Sequence, residues 1–246
     1  MTDPKPLRIA MWSGPRNIST AMMRSFENRP DSTVVDEPFY AVYLAATGED
    51  HPMRAEVLAS QCADWREVAD ALVAPVGSAV FYQKHMTHHM VAGVGVEWMA
   101  RCRNVFLIRR PDEVVASYGK RRGAVSLADI GVERQAELFD REEDRLGHAP
   151  PVIDSADVLA DPRGVLTALC AELGIAFTDS MLTWPPGRRS ADGVWAPAWY
   201  DQVERSTGFE PPVLKTPPRL RPEQQNVADE ARAYYDRLAR WRIRTP

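Results

Sequence analysis

The 246 residues are enough to bury a large core and sit near the upper end of what one domain holds. Hydrophobic residues make up 45% and charged residues 26%, which excludes intrinsic disorder, and a formal net charge of -4 excludes a general electrostatic pull toward nucleic acid or anionic membrane. No apolar run approaches the roughly 20 residues that span a bilayer, and the opening MTDPKPLRIAMW has no signal-peptide pattern. The expectation is one soluble, cytoplasmic α/β domain over 1–246 whose partners are small molecules, with Cys62, Cys102 and Cys170 as buried thiols. In chain order, short apolar runs predict strands at 7–12 (LRIAMW), 32–36 (STVVD), 79–84 (AVFYQK), 104–109 (NVFLIR) and 151–155 (PVIDS). Helical stretches fall between them at 19–28, 54–74, 111–120 and 126–147, so about five parallel strands joined by right-handed crossovers are expected. The Pro-, Gly- and Trp-rich stretch 184–222 reads as a lid or ordered loop, and a last helix is expected at 222–241.

Two segments carry a pattern suited to anions. In MWSGPRNISTAMMRSF a strand runs into a tight Ser13-Gly14-Pro15 turn, and Ser19 and Thr20 open a helix. Backbone N–H groups at such a junction bind phosphate or sulfate, the helix dipole adds to the attraction, and Arg16 supplies a cation. The Walker lysine and magnesium-binding hydroxyl are missing, which counts against an ATPase or kinase loop. The ordinary alternative is a strand-to-helix turn with a Ser/Thr cap. Farther along, NVFLIRRPDEVVASYGK places Arg109 at the C-terminal end of a strand and Ser117 in the following helix, whose start is marked by Pro111, Asp112 and Glu113. Ligands of open α/β sheets bind at that edge, so Arg109 and Ser117 are placed to grip a second phosphate. Either residue alone reads equally as a surface ion pair or an inert helix position.

Together the segments resemble the sulfotransferase family, whose donor is 3′-phosphoadenosine 5′-phosphosulfate. Its 5′-phosphosulfate loop reads Pro-Lys-Ser-Gly-Thr-Thr. Pro15-Arg16-Asn17-Ile18-Ser19-Thr20 is similar, with arginine for lysine and isoleucine for glycine. Its 3′-phosphate motif, an arginine followed eight residues later by a serine, is matched by Arg109 and Ser117. The resemblance implies a P-loop NTPase-like three-layer fold, no metal, a small-molecule hydroxyl acceptor, and donor contacts from Ser13 through Thr20, Arg109 and Ser117. The glycine-rich C-terminal segment of cytosolic members is absent here, and Arg205 stands as a candidate replacement for its basic contact.

Sulfuryl transfer asks for alignment of an acceptor oxygen, removal of its proton and neutralisation of the departing oxygen. The resemblance gives the last task to Arg16. Glu37, in VVDEPFY, is similar to the glutamate base of carbohydrate-type sulfotransferases, and it also fits a plain helix-start carboxylate. Lys84 and His85 in FYQKHMTHHM are expected to end the third strand; His85 resembles the base in the Lys-Thr-His motif of cytosolic members, one residue short in spacing. The primary base is therefore expected to be Glu37, with Lys84 and His85 assisting. His88 and His89 are expected to cap the next helix; HxxHH is weak grounds for a metal site. Trp184, Trp195, Trp199 and Tyr200 read as core aromatics or as a stacking surface for ligand. The competing readings are a P-loop kinase or nucleotide hydrolase with a degenerate loop, and a nucleotide-binding module without turnover.

Overall fold

A computed structural model describes residues 6–210 and 218–245, and of residues 121 and 122 only the backbone. The five expected strands form: β1 (Leu7–Ser13), β2 (Ser32–Asp36), β3 (Val80–Met86), β4 (Arg103–Ile108) and β5 (Val152–Asp154). They make one parallel sheet in the order β2-β3-β1-β4-β5. Strand order reverses on either side of β1, and a crevice opens at such a switch point, beyond the carboxyl ends of the strands.

The helices are α1 (Ser19–Glu27), α2 (Tyr40–Thr47), α3 (Arg54–Ser60), α4 (Trp65–Val73), α5 (Pro111–Arg122), α6 (Leu127–Ile130), α7 (Val132–Leu146), α8 (Ser155–Ala160), α9 (Pro162–Leu173), α10 (Ala196–Trp199), α11 (Asp201–Arg205) and α12 (Pro222–Ala239). Successive strand residues face opposite sides, so β1 feeds two cores. Ala10 and Trp12 join Phe106, Phe139 and Leu238 beneath α4, α7 and α12. Ile9 and Met11 join Met22, Phe26, Val165 and Leu169 beneath α1 and α9. Each fully buried side chain of this size adds about 1.5–3 kcal/mol, and the result is three layers with the sheet in the middle.

Two expected helices are each split. The 54–74 stretch breaks into α3 and α4 because Asp64 turns the chain, its carboxylate accepting from Arg66 N at 2.8 Å as an N-cap. The 126–147 stretch breaks at Gly131, where φ is 62° and a Cβ would lie 2.8 Å from His88 N. β3 also runs two residues beyond its expected end at 84, which puts Lys84 and His85 inside the strand. Cys102 and Cys170 are buried thiols, whereas Cys62 is exposed in the α3–α4 turn.

The 184–210 stretch is packed into the body. Arg24 in α1 pairs with Asp192 at 2.6 Å, both side chains sealed from solvent. Trp184, Trp195 and Tyr200 are buried, and Trp184 Nε1 donates to Ser206 Oγ at 3.1 Å. Residues 211–217 of the expected lid lie outside the described residues.

Candidate functional site

The two anion motifs, about a hundred residues apart in sequence, meet where β1 and β4 end. The Arg16 backbone lies in the left-handed region at φ 56°, a conformation that costs on the order of 1–3 kcal/mol for a non-glycine residue. Its side chain donates from Nε to Ser117 Oγ at 3.0 Å, and its carbonyl accepts from Arg109 Nη1 at 2.7 Å. Glu113 steadies Arg109 by an ion pair of 2.9 Å. Asn17 ties the loop to β4, Nδ2 donating to Leu107 O at 3.1 Å. Gln135 in α7 pins both strand ends, donating to Trp12 O and Leu107 O at 3.0 Å. Gly14 is required by close approach, since a Cβ there would lie 2.4 Å from Ile130 O.

The chemistry of this corner suits an anion of two or more charges. α1 starts with no side-chain cap and no acidic residue in its first turn, so its first N–H groups and the positive end of its dipole face the loop uncompensated. Two guanidinium groups and the Ser19, Thr20 and Ser117 hydroxyls stand around it. Arg205 is exposed at the end of α11, and no described contact joins it to this corner.

A second cluster lies on the β2–β3 side of the same edge. β3 places Lys84 opposite Asp36, and the Lys84 ammonium donates to Asp36 Oδ1 at 2.9 Å, to Glu37 Oε1 at 2.7 Å and to Tyr200 OH at 2.5 Å. Tyr200 OH donates to Asp36 Oδ2 at 2.7 Å and accepts from Trp195 Nε1 at 3.0 Å. Burial pushes the Glu37 carboxyl above its ordinary 4.5, against the pull of Lys84. Burial also works against the Lys84 ammonium, but Asp36 and Glu37 outweigh it and hold it above the ordinary lysine value. The Glu37 backbone sits at φ 40°, held by its own N–H donating to Lys84 O at 3.0 Å and by Gln61 Nε2 donating to its carbonyl at 3.1 Å.

His85 lies elsewhere, because consecutive strand residues point to opposite faces. Its ring stacks on Trp12, centroids 4.4 Å apart, beside Phe39 and Trp98, and Nε2 meets Gln83 Oε1 at 3.1 Å. Burial pushes it down to about 3. His88 and His89 do not cap a helix. They form a short 3-10 turn, Thr87–His89, with His89 stacked against Tyr40 and Tyr43 and its Nε2 3.9 Å from Glu37 Oε2. His89 therefore stands on the Glu37 side, where His85 was expected. Sequence reasoning also missed Asp36 and Gln135 and took Tyr200 only as a core or stacking aromatic. The one available signal was the adjacent acidic pair in VVDEPFY. Among the described residues no group of three or more His, Cys, Asp or Glu is placed to hold a metal ion, and no helix is long and apolar enough to cross a membrane.

A five-stranded parallel sheet of this order, flanked by helices and with a strand-to-helix loop after its central strand, defines a P-loop-like α/β fold. The chain matches the sulfotransferase domain over residues 7–239, and it belongs to that family. It is 38% identical over 209 residues to branched-chain-amino-acid aminotransferase-like protein 1 of Arabidopsis thaliana, an alignment that takes in 85% of this chain. The chain spans only 37% of that relative's length. Among solved structures it is similar to the sulfotransferase domain of the Synechococcus PCC 7002 olefin synthase, with a TM-score of 0.55 at 17% identity over 94% of this chain and 96% of that one. It is also similar to a sulfotransferase from Alicyclobacillus acidocaldarius, with a TM-score of 0.53 at 14% identity over 98% of each. At such identities the likeness establishes the shared fold.

Proposed function

We propose that the chain transfers a sulfuryl group from 3′-phosphoadenosine 5′-phosphosulfate to the hydroxyl of a small-molecule acceptor. The observation that carries this reading is the contact between the two anion motifs: Arg16 bonds Ser117, and Arg109 bonds the Arg16 carbonyl. A donor with phosphate at both ends of its ribose needs two anion grips at a fixed separation, and the Arg16–Ser117–Arg109 bridge sets that separation. The loop Ser13–Thr20 holds the 5′-phosphosulfate, and Arg109 with Ser117 holds the 3′-phosphate.

In the reaction the acceptor oxygen forms a bond to sulfur, and the bond from sulfur to the bridging phosphate oxygen breaks. The acceptor proton goes to the Glu37 carboxylate, and the electron pair leaves on adenosine 3′,5′-bisphosphate, whose new charge Arg16 neutralises. Lys84, locked against Asp36, Glu37 and Tyr200, keeps the Glu37 carboxylate in place and ionised. His85, walled in by Trp12, Phe39 and Trp98, keeps to the core. Glu37→Gln tests the assignment: kcat falls by about 10²–10⁴ while bisphosphate affinity is unchanged. Near-normal kcat in Glu37→Gln, together with loss of turnover in His85→Asn at intact donor affinity, transfers the base role to His85.

A further inference from the structure

The donor motifs gather at the ends of β1 and β4, while a separate cleft of about 770 Å³ opens on the β2–β3 side, between residues 50–55 and the end of α10 at Ala198 and Trp199. That volume lies within the range of small-molecule sites. A chain of side-chain contacts links the cleft wall to the Glu37 cluster. His51 is buried at its wall and its Nδ1 meets Tyr40 OH at 2.9 Å; Trp199 hydrogen-bonds the same hydroxyl. The Tyr40 ring stacks on His89, 4.6 Å between centroids, and His89 Nε2 lies 3.9 Å from Glu37 Oε2. Tyr40 and His89 thus lie between the cleft wall and the carboxylate, and the chain residue after Trp199 is Tyr200, which bonds Asp36.

The lining has a pattern. Asp50 is exposed at the mouth and Arg54 is half-buried, so opposite charges share the cleft. Arg54 is held by Nη2 donating to Leu44 O at 3.4 Å, and its Nε is buried with no hydrogen-bond partner. A guanidinium with donors to spare in a concave site fits a carboxylate. Trp199, Met53 and Pro52 provide an apolar wall. Met53 lies in the left-handed region at φ 64°, backbone strain of the kind stored where a chain is shaped for a ligand.

The geometry points to this cleft as the acceptor's outer subsite, selecting a hydroxyl-bearing ligand with an α-amino-acid head: carboxylate toward Arg54, ammonium toward Asp50, body against Trp199. This rests on the sulfuryl-transfer reading, with the hydroxyl directed past Tyr40 toward Glu37.

The test is binding to the full chain in the presence of adenosine 3′,5′-bisphosphate, by titration calorimetry and saturation-transfer NMR. The probes are L-tyrosine, L-threonine, tyramine, which lacks the carboxylate, and 3-(4-hydroxyphenyl)propionate, which lacks the ammonium. The expected result is that at least one of the two amino acids binds, and that L-tyrosine binds about tenfold or more tighter than either truncated analogue. Arg54→Gln should erase the preference for L-tyrosine over tyramine, and Asp50→Asn its preference over the propionate. Bisphosphate binding in the same variants reports that they are folded and keeps the two ideas separable. If the bisphosphate fails to bind wild-type protein, the sulfuryl-transfer reading falls. If it binds, but neither amino acid does or the truncated analogues bind equally well, the subsite assignment is overturned.

Discussion

Replacing Lys84 with methionine removes the one cation among the described residues that is hydrogen-bonded to Asp36 or Glu37, in a cluster where the Lys84 side chain is 1% exposed. Breaking a buried ion pair by taking away one partner typically costs about 3–5 kcal/mol. An independent figure comes from Glu37 itself. A stranded carboxylate escapes by taking up a proton, at about 1.36 kcal/mol for each pH unit above its ordinary value. With that value at 4.5 and the wild-type carboxyl already held above it, the added cost is at most about 3.4 kcal/mol at pH 7 and at most about 1.4 kcal/mol at pH 5.5. For a chain of 246 residues, each kcal/mol moves Tm by about 2–4 °C, so Lys84→Met should melt below wild type at pH 7 by an amount that reaches at most about 7–14 °C. Scanning calorimetry of both proteins at the two pH values reads this directly, each variant being compared with wild type at the same pH. A deficit under about 2 °C at pH 7, or one that does not shrink at pH 5.5, refutes the idea that Lys84 compensates buried carboxylates.

Arg109→Ala should weaken adenosine 3′,5′-bisphosphate by about tenfold or more and adenosine 5′-phosphate far less; equal losses, measured by calorimetry, remove Arg109 from the 3′-phosphate. On the proposed mechanism turnover needs Glu37 deprotonated, and burial holds it above 4.5, so kcat should rise with pH through an apparent pKa higher than that of an ordinary glutamate. A kcat profile flat down to pH 4.5 contradicts this. The buried histidines weaken the fold in acid. His85 and His88 are both pushed down to about 3 by burial, so below pH 6.5 the unfolded chain takes up protons that the fold refuses. Their contribution to stability is therefore present above pH 6.5 and lost as pH falls from there toward 3. His85→Gln, which removes one such group, should flatten the fall in Tm over that window; an unchanged slope argues that His85 is not buried neutral.

The sheet was legible because parallel strands buried on both faces read as near-continuous apolar runs, as at 9–12 and 105–108. The two junctions that meet at Arg16 were legible for a local reason: the Arg16 loop and the Arg109–Ser117 pair each lie within one strand-to-helix junction. The Lys84 cluster was not, because it is assembled from β2, β3 and Tyr200, residues up to 164 positions apart. Nothing in the local pattern of any one of them announces the others. His85 illustrates the sensitivity to strand length. Ending β3 at 84 left the next side chain free to turn toward the ligand edge, whereas two further strand residues fix the alternation and send it into the aromatic core. The breaks at Asp64 and Gly131 depended on a cap and on a left-handed glycine pressed against residues 87–88, and helix periodicity carries straight through both. In α2, YAVYLAAT is almost uniformly apolar and buried along its first five residues, so it offered no amphipathic signal.

The central claim is that the Arg16–Ser117–Arg109 corner is built for a donor phosphorylated at both ends of its ribose. Titration calorimetry of the purified chain with adenosine 3′,5′-bisphosphate, set against ATP plus magnesium, tests it most directly. The account predicts saturable binding of the bisphosphate, much tighter than that of the magnesium nucleotide. Tight binding of ATP with magnesium, and none of the bisphosphate, would contradict it.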